Sequence, residues 1–217
     1  METKEILAWH FLRGDKKLGY EDKRIVALGE TITVEPDKLE MCKFGLHGSK
    51  KILDALSFVY WENAIACRVK LGGRVIEKED KIVASERTVI SWFECARILH
   101  EFAYRVGEDV LPIFEKTYPK EDRPRKAIEA KRLWLDGKIS IEDLHAASDA
   151  AFSATVTLRN CTAWYAWYAT RGSPLSTWYA TWYAAWYAWT GAGADTAWFG
   201  AKDKYNRWLE EMVLANM

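Results

Sequence analysis

The sequence has no net charge, few cysteines and no metal-binding motif, and these shortages exclude several classes of function. Its 31 basic and 31 acidic residues cancel, so no overall field attracts nucleic acid or an anionic membrane. The cysteines, Cys42, Cys67, Cys95 and Cys161, are too far apart for a Cys-x-x-Cys ligand pair. We therefore expect reduced thiols in a cytoplasmic protein that takes no metal or cofactor and binds neither nucleic acid nor a membrane.

Long aliphatic runs are also missing from the chain. Residues 172–194 carry no formal charge, but they contain a single Leu, no Ile or Val, and many Trp, Tyr, Thr and Gly residues. Trp and Tyr favour the membrane interface over the hydrocarbon core, and Pro174 leaves a helix at the short limit for spanning. We therefore expect no membrane span here.

The N-terminal part of the chain favours β-structure. Apolar and β-branched residues form short segments that are typical of strands, and these lie at 5–12, 31–35, 64–71 and 74–77. Residues 18–27 are expected to form a hairpin whose turn lies near Glu21 and Asp22. Gly72 and Gly73 predict a tight hairpin between the last two segments, since both positions of such a turn need positive φ. Ser49 is expected to cap one short helix over residues 50–60.

Residues 86–140 switch to helical periodicity. Apolar residues recur at spacings of three and four up to Val106, and Gly107 is expected to end this helix. Two further helices follow, which we place at residues 109–118 and 124–135 because prolines and glycine delimit them.

The last third of the chain is poor in charge and rich in rings. A Trp-Tyr-Ala unit recurs between residues 164 and 188, and Ser173 with Pro174 is expected to begin a helix. Four indoles then share one helical face: Trp178, Trp182, Trp186 and Trp189. We expect this face to pack on a partner helix of the chain or on a second copy, which would give a homo-oligomer. Stacking on a flat ligand and contact with a partner protein are the alternatives.

The elements together predict an α+β protein. Residues 1–85 form a small, mainly antiparallel sheet with one helix. Residues 86–217 form a helical part with an aromatic-rich helical hairpin, and we expect the two parts to pack as one unit.

Arg123 and Arg125 stand at the start of a predicted helix, where positive charge opposes the helix dipole. One explanation is pairing with acidic residues that are near in the sequence: Glu121, Asp122 or Glu129. The alternative is an anion site, in which both guanidinium groups and the helix N–H groups converge on a phosphate or carboxylate.

A second candidate site involves His47, which lies in the glycine-rich run 45–49. His10 on the first predicted strand and Glu86 at the start of the long predicted helix could join it in acid–base chemistry. The alternative is a structural histidine in a turn. We take as candidate ligand-binding residues His10, His47, Glu86, Arg123 and Arg125, and we assign no catalytic residue.

Two longer segments resemble known families. Motifs at 8–12, 18–20, 45–49, 67–69 and 85–88 are similar to a domain of unknown function that is common in bacteriophage genomes and in some bacteria. Residues 111–130, followed by Trp134, Gly137 and an alanine-rich tail, resemble a bacterial family of immunity proteins. The run His47-Gly48-Ser49 also resembles the nicotinamide-binding motif of ADP-ribosyltransferases.

These resemblances imply a cytoplasmic, non-catalytic binding protein of phage or bacterial origin. It would act in phage–host conflict by inhibiting a host or phage protein or by sequestering a small anionic, nucleotide-like ligand. Two other functions stay open. One is a nucleotide-acting enzyme with His47 and Glu86 as its polar centre, and the other is a structural protein that assembles through the aromatic helices.

Overall fold

The computed structural model describes residues 5–19, 22–158, 164–171, 173–192 and 195–217. Contacts divide the chain into two units. The first, which we call the sheet unit, comprises Met1–Cys95 with Glu210–Met217, and the second, the helical unit, comprises Ala96–Leu209. Sheet and helices are separate along the chain, and the α+β prediction is confirmed.

Among its described residues, the sheet unit contains five strands and one short helix. In chain order these are β1 (Ile6–Arg13), β2 (Thr31–Thr33), β3 (Leu46–Gly48), α1 (Ile52–Leu56), β4 (Ala64–Glu77) and β5 (Ile82–Glu94), with a 3₁₀ turn at Pro36–Lys38. Neighbouring strands are antiparallel, and their order in the sheet is β1-β4-β5-β2. The strand β3 pairs, also antiparallel, with the first part of β5. Trp9 and Ser49 exchange two backbone hydrogen bonds of 2.7 and 2.9 Å, so the pairing returns from the end of β3 to β1.

The interior of the sheet follows from strand alternation. Ala8, His10 and Leu12 of β1 lie opposite Val69, Cys67 and Ile65 of β4, and directly paired residues point to the same face. An apolar cluster covers this face: Ala8, Leu12, Leu18, Val26, Ile32, Leu46, Ile65, Cys67, Val69, Leu71, Ile82, Ala84 and Val89. The sheet therefore has a buried apolar face on which His10 is a polar exception.

The Gly-Gly pair does not make the predicted hairpin turn. β4 continues through Gly72 and Gly73 to Glu77, and the pairing with β5 shifts between Gly72 and Val75. Gly73 has φ +66°, and the amide of Arg74 donates to Ser85 Oγ at 2.9 Å. The positive φ is thus used for a β-bulge within one long strand.

Two other local predictions are wrong for related reasons. Residues 86–94 belong to β5 rather than to a helix, because the apolar residues at 89, 90, 92 and 93 lie on both faces of the strand and imitate helical spacing. Ser49 does not cap α1, which begins at Ile52 after Lys51. The Ser49 backbone pairs with Trp9 instead. The first strand is confirmed. Lys17 and Ile25 form an isolated antiparallel bridge that flanks the predicted hairpin, and residues 20–21 of its predicted turn lie outside the described residues.

In the part of the chain that the structure describes, the helical unit contains six helices. They are α2 (Ala96–Thr117), α3 (Arg123–Leu135), α4 (Ile141–Leu158), α5 (Trp164–Arg171), α6 (Pro174–Ala192) and α7 (Asp195–Leu214), whose last residues belong to the sheet unit. The predicted starts of α3 and α6 at prolines are confirmed, and Ser173 Oγ accepts from the Ser176 amide at 3.1 Å.

Gly107 does not end a helix, because α2 passes through Gly107 and Pro112 to Thr117. A methyl group on Gly107 would collide with the Ile128 side chain of α3. The glycine therefore allows two helices to approach closely. Among the helices that the structure describes, none is long and apolar enough to cross a membrane.

Candidate functional site

A small polar group interrupts the apolar interior of the sheet unit. It consists of His10 on β1, Cys67 on β4 and Arg87 on β5. His10 and Cys67 are paired across the two strands, and Arg87 is paired with Leu71, a member of the apolar cluster. All three side chains therefore belong to the buried face of the sheet.

Arg87 is a buried cation without a counterion. Its side chain is only 3 % exposed, and its Nη1 donates to the carbonyl oxygen of His47 at 3.0 Å. Its Nε is buried and has no acceptor, and Arg87 has no ion pair within the part of the chain that the structure describes. Burial lowers the pKa of Arg87 to about 10, so the group still carries its charge at pH 7.

His10 lies close enough to Arg87 to respond to its charge. Burial lowers the pKa of the His10 imidazole well below its usual value, and the positive charges of Arg87 and His47 lower it further. The ring makes no hydrogen bond to a described residue. His10 is therefore neutral at pH 7, with both ring nitrogens available.

The His47 ring, in contrast, is occupied by its own turn. The Cys42 amide donates to Nε2 at 3.2 Å, and the ring also bonds to the backbone of Gly45. Gly45 has φ +130°, and a methyl group there would collide with Val83 and Leu39. The His47 ring thus stabilises the turn before β3, while the His47 backbone carbonyl accepts a hydrogen bond from Arg87.

The structure does not make the other predicted site residues part of this polar group. Glu86 neighbours Arg87 on β5, so it points to the opposite face, where it is exposed beside Gly72 and Gly73. Arg123 and Arg125 lie in the helical unit. Arg123 bonds to both carboxylate oxygens of Glu121, at 2.6 and 2.5 Å.

Arg125 forms a two-pronged ion pair with Glu115, in which Nη2 lies 2.6 Å from Oε2. Two of the pairings that the sequence left open are present: Arg123 with Glu121, and Arg125 with Glu129, whose Oε1 lies 3.9 Å from Arg125 Nη1. Glu115 lies on the preceding helix and was not expected as a partner. Both guanidinium groups therefore have their charge balanced by carboxylates within the helical unit.

Arg87 is the residue that sequence reasoning missed. Once residues 82–94 are known to be a strand, Arg87 and Val89 share one face, two residues apart. The prediction of a helix there removed this alternation from view, so no pattern connected Arg87 with His10.

The helical unit has a buried polar centre of its own at Lys131. This side chain is 0 % exposed. Its Nζ lies 2.6 Å from His100 Nδ1, donates to the Thr170 carbonyl at 3.1 Å and sits 4.7 Å from the centre of the Trp134 ring. Burial lowers the pKa of Lys131 to about 7 and, together with the charge of Lys131, lowers that of His100 to about 4.

A cluster of rings lies at the surface of the helical unit, and we call it the aromatic surface. Its members come from α4, α5 and α6: Phe152, Trp164, Trp167, Tyr168, Tyr179 and Tyr183. Phe152 is 37 % exposed and the others are half-buried. Ring centres are 5.2 Å apart for Phe152 and Trp167 and 5.4 Å apart for Tyr168 and Tyr183, which are stacked. Arg171 lies 4.7 Å from the Trp167 ring centre.

The tryptophan face of α6 is not the face that packs inside the unit. The buried residues of this helix are small: Thr177, Ala180, Thr181, Ala184 and Ala185. Trp182 stacks on Trp186 at 5.6 Å and meets Trp198 of α7 edge-on, yet Trp186 remains 41 % exposed. The side chain of Trp189 lies outside the described residues. Small side chains let α6 approach its neighbours, and the indoles are left at the rim.

Comparisons with known proteins divide the chain in a similar way. Residues 9–101 match a family model described as a domain of unknown function, DUF7666. Residues 94–173 match a model described as an Imm-5 like putative immunity protein. No curated protein and no solved structure matches the chain. The second match covers Lys131 with its partners, and also Phe152, Trp164, Trp167 and Tyr168 of the aromatic surface.

Proposed function

Because the chain combines a DUF7666 domain with an Imm-5 like putative immunity protein domain, we propose that it neutralises a toxin protein by direct binding. The match of residues 94–173 to the immunity family is the observation that carries this proposal. The setting is conflict between phage and host or between bacteria. In this function the chain acts as a binding partner, and the chemistry that it blocks belongs to the toxin.

The aromatic surface is the region that we assign to toxin contact. Interface residues that contribute most to affinity are enriched in Trp, Tyr and Arg. Phe152, Trp164, Trp167 and Tyr168 offer such rings within the matched segment, and Arg171 adds a guanidinium beside Trp167. The rings already contact each other, so little side-chain freedom is lost when a partner covers them.

The polar groups of these rings suit a surface that contacts water in the free chain and contacts the toxin in the complex. Tyr hydroxyl and Trp N–H groups can bond to water or to a partner, while the ring faces supply apolar area. A surface of Leu and Ile would lack these hydrogen-bonding groups. The aromatic surface therefore suits an immunity protein that exists both alone and in its complex.

The test is a growth-rescue assay followed by binding measurements. The chain is co-expressed with a panel of bacterial toxins, and a toxin whose growth arrest it relieves is purified for calorimetry. Truncation of a central interface ring costs about 2 kcal/mol or more, which is about 30-fold in Kd. We therefore expect Trp167→Ala to weaken binding by about 30-fold.

Phe199→Ala is the matched control, because Phe199 is 62 % exposed on α7 and lies outside the aromatic surface. It should leave Kd within about twofold. Equal affinities of wild type and Trp167→Ala would refute the assignment of the surface. Failure to relieve the arrest caused by any toxin in a panel that spans the known toxin classes would refute the proposed function.

A further inference from the structure

The sheet unit contains a buried positive charge that toxin binding by the helical unit does not explain. The Arg87 side chain is only 3 % exposed. A buried charge is costly unless an opposite charge or a full set of hydrogen bonds compensates for it. Arg87 has one hydrogen bond, to the His47 carbonyl, and no ion pair with a described residue.

One donor of this polar group, Arg87 Nε, is buried without an acceptor among the described residues. In any arginine, Nε and Nη2 form one edge of the planar guanidinium, and both N–H bonds on that edge point the same way. Nη1 is committed to His47, whereas Nε is buried without an acceptor. The ring of His10, which feels the Arg87 charge and has no described partner, supplies a further donor.

We propose that Arg87 and His10 form a binding site for a small carboxylate anion in the interior of the sheet unit. One carboxylate oxygen accepts from Arg87 Nε, and the other accepts from the same guanidinium edge or from the His10 ring. The two-pronged match between a guanidinium edge and a planar carboxylate is the strongest geometry that arginine offers.

The charges around the site favour a single negative charge. Arg87 is the one buried cation here, since Lys16 and Lys81, whose charges also reach Cys67 and His47, are partly exposed. His10 and His47 both have lowered pKa values, so they are neutral at pH 7. Burial raises the pKa of the Cys67 thiol to about 12, so this neighbour is neutral as well. A carboxylate balances Arg87, whereas a doubly charged phosphate would leave one negative charge uncompensated.

Formate is the probe, because it is the smallest carboxylate and suits an enclosed site. Its concentration is raised at constant ionic strength, with a bulky sulfonate buffer as the replaced anion. Binding to the folded state alone raises the folding equilibrium constant by the factor 1 + [L]/Kd, which is about tenfold at ten times Kd. Urea unfolding should show this rise for the wild-type chain and not for Arg87→Met.

Arg74→Met is the matched control, since Arg74 is exposed and pairs with Asp37 at the surface. It should keep the full response to formate. A response that Arg87→Met retains, or no response in any variant, would overturn the proposal. Stabilisation by phosphate but not by formate, lost in Arg87→Met, would overturn the choice of a carboxylate.

A second readout uses only the wild-type chain, so it does not depend on the folding of a variant. An anion beside Arg87 cancels the charge that disfavours protonation of His10, and the pKa of His10 should rise when formate is bound. The proton NMR signal of the His10 ring reports this titration. The same titration curve in formate and in the bulky sulfonate would contradict binding at this site.

Discussion

At the scale of single residues, each unit buries one basic side chain that donates to a backbone carbonyl. Arg87 bonds to the carbonyl of His47, and Lys131 bonds to that of Thr170. They differ in what surrounds the charge. Lys131 also meets the His100 ring and the face of Trp134, so its hydrogen bonds are directed to described partners, whereas Arg87 Nε has none.

The lowered pKa of Lys131 predicts a pH dependence of stability. The ordinary value is 10.5 and the folded value is about 7, so between these pH values the unfolded chain binds a proton that the folded chain does not. The free energy of unfolding should therefore rise as the pH increases from 7 to 10. Urea unfolding at several pH values should show a smaller rise for Lys131→Met than for the wild type.

Lys126→Met is the control for this experiment, because Lys126 lies on the same helix, is exposed and pairs with Asp122. It should preserve the wild-type slope between pH 7 and 10. A slope that is unchanged in Lys131→Met would show that Lys131 is protonated in the folded chain over this range.

At the scale of elements, the long hairpin of β4 and β5 is the feature that organises the sheet unit. β5 pairs with β4 along its length and also with β2 and β3. The bulge at Gly72–Val75 changes the register within this hairpin, and residues on either side of it still contribute to the buried face. The bulge therefore lets one strand serve two registers.

Gly73→Ala should destabilise the sheet unit more than Gly72→Ala. At Gly73 a methyl group would meet Ser85 Oγ, and its φ of +66° costs a residue with a side chain about 1–2 kcal/mol. At Gly72 the nearest atom is Glu86 Oε2 at 3.4 Å, an ordinary contact. Urea unfolding of both variants compares the two costs. Equal losses would mean that the bulge does not depend on Gly73.

The elements that the sequence predicted well are those with local signals. Ser173 and Pro174 mark the start of α6, where Ser173 Oγ accepts from the Ser176 amide at 3.1 Å. The failures arose where one signal fits two structures. A positive φ suits both a hairpin turn and a bulge, so Gly73 could not distinguish them before the partner strand was known.

The candidate site was predictable only in part. His10 could be placed on a strand, but its link to Arg87 depends on the register of β1, β4 and β5, which involves residues far apart in the sequence. Arg123 was conspicuous in the sequence, and its carboxylate partner is two residues away, at Glu121. Local charge patterns thus identified a salt bridge more readily than a buried unpaired cation.

At the scale of the whole molecule, exposed aromatic area extends beyond the residues that we assign to toxin contact. Trp186 is 41 % exposed and stacks on Trp182, whose ring also meets Tyr183 of the aromatic surface. We propose that this face, with Trp178 and Trp189 as its predicted neighbours, joins two copies of the chain. An apolar surface of this kind is typical of a contact between subunits.

Light scattering coupled to gel filtration tests the proposed self-association. The wild-type chain should elute with a mass above 25.0 kDa, and replacement of Trp182 and Trp186 by Ser should return the mass to that of one chain. Phe199→Ser serves as a control that should leave the mass unchanged. A wild-type mass of one chain at micromolar concentration would contradict this proposal.

The most direct test of toxin neutralisation is hydrogen–deuterium exchange of the chain with and without the toxin that it relieves. Binding at the aromatic surface predicts slower amide exchange in α4 and α5, around Phe152 and Trp167, and unchanged exchange in β4 and β5. Slowing confined to the strands, or no slowing in α4 and α5 at saturating toxin, would contradict the account.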